Sequence, residues 1–242
     1  MPAGTRDETS SRPVHDYLEL HREELLRLRG WTPWDADAMT VQSTSPRAGG
    51  YARGRATREE ILDAAMRLFG DVGYHTTSLR DVAARVGISH PGLLHHFPTK
   101  AALLEAVLQR RDEVDGKAFD DDVAASGDFL EALARLADRN AARPGIVELY
   151  ATLSAEATSP EHPAHDYFRA RYVRVLAQTT AAFELLAAEG RLRPGLDAPT
   201  AGRLSVAGMD GLQVQWLMAA DAPEGRVDMA AAIRALHASF LA

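Results

Sequence analysis

The chain has 242 residues, 46% of them hydrophobic and 25% charged, with a formal net charge of −7 and no cysteine. That composition suits a globular protein with a substantial core, and it excludes disulfides and thiolate metal sites. No apolar run reaches the ~18–20 residues needed to cross a bilayer, and no short apolar core follows a basic start, so a cytoplasmic protein without membrane span or signal peptide is expected.

Residues 1–12 are polar. Between 13 and 30, Val14, Tyr17, Leu18, His21, Leu25 and Leu28 fall on one stripe of a helix, with Trp31 and Trp34 beyond it. Two readings stand for this segment: an extra helix that docks its stripe, or a chain whose translation starts at Met39. Residues 39–56 are rich in Gly, Ser and Arg and read as a flexible linker. Its Arg53 and Arg55 suit a basic arm reaching into a minor groove, or an ordinary basic linker.

Residues 57–100 are the most informative stretch. Thr57 and Glu60 have capping-box spacing, and Ile61, Ala65, Leu68, Phe69 and Val72 then recur at helical period. Gly73 falls where a helix stops. Thr77 or Ser78 caps a second helix that buries Leu79, Val82, Ala83 and Val86, and Gly87 ends it. Val86-Gly87-Ile88-Ser89 has the length of a helix-turn-helix turn. Ser89 caps a third helix with Pro91 in its first turn, and Pro98 stops it. Thr99 caps a fourth, expected to reach about Arg111. Residues 47–111 hold ten Lys and Arg against six acids, a local charge of +4 that leaves −11 for the rest of the chain. A positive region on an acidic protein suits phosphate contact.

The run TREEILDAAMRLFGDVGY, then TTSLRDVAARVGIS, then HPGLLHHFPTK resembles the DNA-binding domain of the TetR family of bacterial transcriptional regulators over about 45 residues. The resemblance implies an all-α fold, with an N-terminal three-helix helix-turn-helix domain and a C-terminal helical bundle that binds an effector and dimerises. The expected division is 1–56 extension and linker, 57–117 DNA-binding domain (motif about 80–99), and 118–242 effector and dimer domain.

In such a domain the third helix enters the major groove. By position, His90, Pro91 and Gly92 face base edges, and His95 and His96 lie one turn on, near phosphate. His96 reads equally as a packed core histidine; Leu93 and Phe97 read as core. Lys100, with the amides opening the fourth helix, is placed on a phosphate, as are Thr77 and Ser78 at the second. The family commonly has tyrosine where this chain has Leu94, which cannot donate a hydrogen bond.

Beyond residue 111 the pattern stays helical. A break is expected over about 116–127. Helices then follow from Phe129, Leu133, Leu136 and Ala137; from Ile146, Leu149, Tyr150 and Leu153; and from Phe168, Tyr172, Val175, Thr179, Phe183 and Leu186. Pro199 opens another that runs to about Met218, and Asp228 opens the last. Tyr150, Ser154, Tyr172, Gln213 and Trp216 are the candidate effector contacts, for a mostly apolar ligand with one or two polar groups. Leu204, Gly208, Gly211, Gln215, Ile233 and Leu236 are the candidate dimer interface, an intermolecular four-helix bundle.

His162 and His165 share a helix face but have no third ligand in the sequence, so no metal and no cofactor is expected. No nucleophile elbow, phosphate loop or zincin motif is present, so no enzyme is expected. The leading function is a homodimeric repressor, released from an inverted-repeat operator by a small ligand. An activator or effectorless DNA binder, and a helical enzyme or carrier, are the alternatives.

Overall fold

A computed structural model describes the backbone of residues 48–219 and 223–242, with side chains at 54–219 and 224–242. The stripe from Val14 to Leu28, both Trp31 and Trp34, and the Arg53 side chain lie outside the described residues. Within them the fold is all-α, as expected. Nine α-helices are α1 (Ala48–Val72), α2 (Leu79–Val86), α3 (His90–His96), α4 (Lys100–Ser126), α5 (Phe129–Ala141), α6 (Pro144–Glu156), α7 (His165–Ala188), α8 (Ala198–Met218) and α9 (Met229–Ala238). No strand occurs among the described residues, only an isolated antiparallel bridge between Leu192 and Leu241.

Local capping chemistry sets most of these ends. Ser89, Thr99, Asp128, Asp197 and Asp228 each accept a first-turn amide with the side chain. Gly73 and Gly87 take φ of 92° and 79° where α1 and α2 stop, a conformation that would strain any β-carbon.

Two expected boundaries are corrected. Helix α1 begins at Ala48, so Thr57 and Glu60 lie inside it rather than opening it, and residues 48–56 of the expected linker are helical. Extending a formed helix adds one hydrogen bond per residue without a new nucleus, which outweighs the cost of Gly49, Gly50 and Gly54. Helix α4 does not stop near Arg111. It runs through Gly116 to Ser126 and ends on Gly127, at φ 67°. Arg135 and Arg139 of α5 both bind Asp122, and so hold the far end of α4 against α5.

The largest core joins Ile61, Leu62, Ala65 and Phe69 of α1 to Val82, Leu93, Leu103, Leu104 and Leu108, and continues into Leu149, Leu153 and Phe168. It crosses from the helix-turn-helix helices into the second half of the chain without interruption. The crossing of α1 over α6 depends on Gly70 and Gly145, where a β-carbon on Gly70 would lie 3.0 Å from the Gly145 carbonyl. Two smaller cores sit around Trp216 and Met229, and around Phe183 and Phe240.

Candidate nucleic-acid interface and ligand cavity

Helices α2 and α3 are short and doubly tied. Ser78 caps α2 reciprocally: the Asp81 amide donates to its Oγ at 3.2 Å, and its own amide donates to the Asp81 carboxylate at 2.8 Å. The Ser78 hydroxyl donates to the same carboxylate at 2.6 Å. Those bonds hold the Asp81 carboxyl below the usual carboxylate range. In α3 the Gly92 amide donates to Ser89 Oγ at 3.1 Å. Leu93 is fully buried and anchors α3 on the core. Around it Pro91 and His95 are exposed, while His90, Gly92, Leu94 and His96 are half-buried. Seven residues span about 10 Å, which fits a groove about 12 Å wide.

Three expected phosphate contacts are altered by the structure. Thr77 is buried, and its hydroxyl donates to the Gly73 carbonyl at 2.9 Å, so it locks the turn and does not face DNA. The Ser78 hydroxyl proton is committed to Asp81. Lys100 donates from Nζ to the His75 carbonyl at 3.1 Å and sits 4.4 Å from the centre of the Tyr74 ring. Burial lowers the Lys100 pKa from the ordinary lysine value. An ammonium has three donors, so Lys100 keeps hydrogens for a phosphate while it fixes the turn before α2. Of the local cations, Arg110 is bound to Glu59 and Asp63, and Arg111 to Asp115. Arg58 lies 5.0 Å over the Phe97 ring. Arg55, Arg67, Arg80 and Arg85 are exposed.

A cavity of about 140 Å³ lies between α4, α5, α6, α7 and α8. Of the expected effector residues, Tyr150, Ser154, Tyr172 and Gln213 line it, and Trp216 does not. Trp216 is packed with Ala137, Val147, Met229 and Ala230, under the Arg226 guanidinium at 3.9 Å. Tyr150 presents only its ring. Its hydroxyl lies 2.8 Å from that of Tyr167, and both bond the Leu108 carbonyl.

The wall is more polar than the sequence suggested. Arg111 stacks 3.9 Å over the Tyr150 ring and is paired with Asp115, which also binds Arg143 at 2.8 Å. Arg171 and Arg174 share Asp112. Asp210 has no such cation. It accepts the Tyr172 hydroxyl at 2.8 Å, and no ion pair reaches it among the described residues. Burial raises the Asp210 pKa, against the opposing pull of Tyr172 and Arg171. Burial and the adjacent carboxylate push Tyr172 up to about 12. Sequence reasoning missed Asp210 because a single acid in a helix reads as a solvated face.

The expected dimer residues divide. Ile233 is fully buried within the chain, and a β-carbon on Gly208 would lie 2.6 Å from Leu236 Cδ2. Gly208 and Leu236 meet where α8 packs on α9 inside one protomer and are half-buried there, so of the three only Ile233 is closed off from the surface. Leu204, Gly211 and Gln215 face outward. Leu204 and Gly211 with Ala207, Val214 and Met218 form a stripe at 204, 207, 211, 214 and 218, a seven-residue repeat, and Gln215 lies beside it. Leu204 is 45%, Val214 43% and Met218 84% exposed.

Residues 61–107 match the family model described as bacterial regulatory proteins, tetR family. The HTH-type transcriptional activator FasR of Mycolicibacterium smegmatis is 46% identical over 68 residues, which cover 26% of this chain and 31% of that one. The HTH-type transcriptional repressor KstR2 of Rhodococcus jostii is 31% identical over 121 residues, covering 50% of this chain and 52% of that one. The chain thus spans from a third to a half of the length of these curated relatives. A solved structure is similar in fold: a transcriptional regulator from Saccharomonospora viridis in complex with choline, with a TM-score of 0.66 at 22% identity, over 78% of this chain and 99% of that one.

Proposed function

We propose that this chain, which carries the DNA-binding domain of the tetR family of bacterial regulatory proteins, is a cytoplasmic homodimeric transcriptional repressor released from an inverted-repeat operator by a small molecule. The observation that carries this reading is the α2–α3 pair: two capped helices, a glycine-ended turn, and Leu93 pinning α3 so that His90, Pro91 and Gly92 stand at its outer start. Residues 57–117 act as the DNA-binding unit and 118–242 as the effector and dimer unit, with α4 continuous between them. Protection of a palindromic site in footprinting, at half-sites about 34–36 Å apart, tests it. Absence of any salt-dependent DNA affinity would favour a helical enzyme or carrier.

Two substitutions separate the DNA contacts. Lys100→Met keeps a long side chain over Tyr74 but removes the charge. Affinity should fall for every sequence, with the salt slope smaller by about 1. His90→Ala should instead change base preference. Competition between wild-type and altered operators at two salt concentrations distinguishes them, and an unchanged slope together with unchanged preference removes both assignments.

The cavity supports an effector that is small and cationic. Its volume is about 140 Å³, and Asp210 is a buried carboxyl there that no guanidinium pairs, with Arg171 acting on it only through space, beside the Tyr172 and Tyr150 rings. An amine gains the carboxylate and an aromatic face together. The similar Saccharomonospora viridis regulator, solved with choline, is consistent with that class. We expect a panel of small amines, choline included, to raise the melting temperature and to release operator, with Asp210→Asn losing at least about tenfold in sensitivity, or 1.4 kcal/mol of coupling. Release by neutral or anionic metabolites alone, unaffected by Asp210→Asn, would reject the amine.

A further inference from the structure

We propose that His75, Glu156 and His162 form a binding site for a divalent transition cation of the zinc type, which ties the turn between α1 and α2 to the end of α6. The three residues come from three places: the 73–77 turn, the last residue of α6, and the turn leading to α7. Glu156 Oε2 lies 3.0 Å from His75 Nε2 and 3.5 Å from His162 Nε2. One ligand atom from each residue falls within 4.8 Å of the others. Four ligands around zinc at about 2.0–2.1 Å stand about 3.3 Å apart. Two edges of that tetrahedron are therefore formed already. The third closes by a swing of His75, whose side chain is 66% exposed on a turn.

His162 supplies an independent sign. Its side chain is only 10% exposed, and Nε2 is buried with no hydrogen-bond partner. The Ala164 amide donates to Nδ1 at 3.2 Å, so without metal the ring proton sits on Nε2, facing the carboxylate but not bonded to it. For a cation to take the Nε2 lone pair the ring proton must move to Nδ1, which breaks the 3.2 Å Ala164 bond and requires the ring to turn so that Nδ1–H no longer faces that amide. Two imidazoles and a carboxylate suit zinc, cobalt or nickel, with water in the open position. Magnesium and calcium, which take oxygen ligands, are expected to be passed over. His165, the histidine paired with His162 in the sequence, instead bonds the Ala157 carbonyl at 2.8 Å.

The site has a reach beyond itself. The His75 carbonyl accepts Lys100 Nζ, and Tyr74 lies beneath the same ammonium. A bound ion thus fixes the turn that positions Lys100, by a route separate from the cavity. That consequence rests on the DNA-binding reading; the site itself does not.

Chelator-treated full-length protein titrated with zinc alone, against a chromophoric competitor, tests the site. One ion should bind per protomer, and acid should weaken it because protons compete with the metal for its ligands. His75→Ala and Glu156→Gln should each weaken binding at least about tenfold. A His95→Ala, His96→Ala double variant, which removes the neighbouring imidazole pair of α3, should bind as the wild type does. Amide exchange at 73–77 and 156–162 should slow with zinc. Circular dichroism and melting of each metal-free variant check that the fold is kept. Unchanged stoichiometry and affinity in both His75→Ala and Glu156→Gln, or equal loss in the α3 variant, would overturn the proposal.

Discussion

Gly211→Glu is expected to give a folded monomer with operator affinity lowered by about 10²–10⁴-fold. The number is the avidity lost when two recognition helices no longer bind as one linked pair. Gly211 sits half-buried at the centre of the α8 stripe, between Leu204 and Met218, and among the described residues outside its own stretch of helix no atom lies within 4 Å of a β-carbon built there. The β-carbon therefore meets no obstruction inside the chain, and replacing a helical glycine favours the helix by up to about 1 kcal/mol. Across a two-fold axis the new carboxylate would meet its own copy in a desolvated interface, which is strongly unfavourable. Gly208→Glu is the contrasting variant. Its β-carbon would displace the Leu236 side-chain tip in the same chain, so it should lower the melting temperature of the protomer itself, which Gly211→Glu should not. Sedimentation and operator binding of both variants give the result. A dimer of normal affinity from Gly211→Glu would remove this face from the interface.

The distinction between Gly208 and Gly211 also marks what could be read from the sequence. Residues three apart differ by only about 60° around a helix. Both therefore appear on one small stripe, and only the packed neighbour Leu236 shows which one is already covered. Caps behave differently. Ser89, Thr99 and Asp228 act on amides two or three residues away, so contiguous residues suffice to place them, and the helices they open begin where expected. Gly116 and the acidic run Asp120-Asp121-Asp122 look like a break, because the partners that hold that stretch helical, Arg135 and Arg139, lie in the next helix. Thr77 looked available for DNA because its acceptors are backbone carbonyls, which no pattern displays. The cavity was half legible. Its aromatic residues follow a period, but that Asp210 has no ion pair depends on Arg111, Arg143, Arg171 and Arg174 being taken by Asp115 and Asp112.

A buried histidine leads to the other large expected effect, acid lability that His237→Gln removes. His237 lies on α9 with 3% exposure, between the Phe183 and Phe240 rings. Nε2 is 3.0 Å from Ser205 Oγ, and Nδ1 is buried with no partner. Burial lowers its pKa from the ordinary 6.5 to about 4, while the charge of Asp128 pulls weakly the other way. Above pH 6.5 neither folded nor unfolded chain is protonated there, and His237 makes stability independent of pH. As pH falls below 6.5 the unfolded chain takes up a proton that the folded chain refuses, so stability is lost until the folded pKa is reached near 4. The full difference is roughly 3 kcal/mol, of which about 2 kcal/mol is gone by pH 5. For a chain of this size that is about 4–8 °C in melting temperature. Glutamine keeps an amide for Ser205 and has nothing to titrate. Melting curves of both proteins at pH 7.5 and 5, at one protein concentration because a dimer melts by mass action, should show the wild type losing those additional degrees. Other acids titrate equally in both and cancel in the comparison. Parallel losses in the two proteins would mean that His237 is protonated without disturbing the fold, and that the Ser205 contact between α8 and α9 does not depend on a neutral ring.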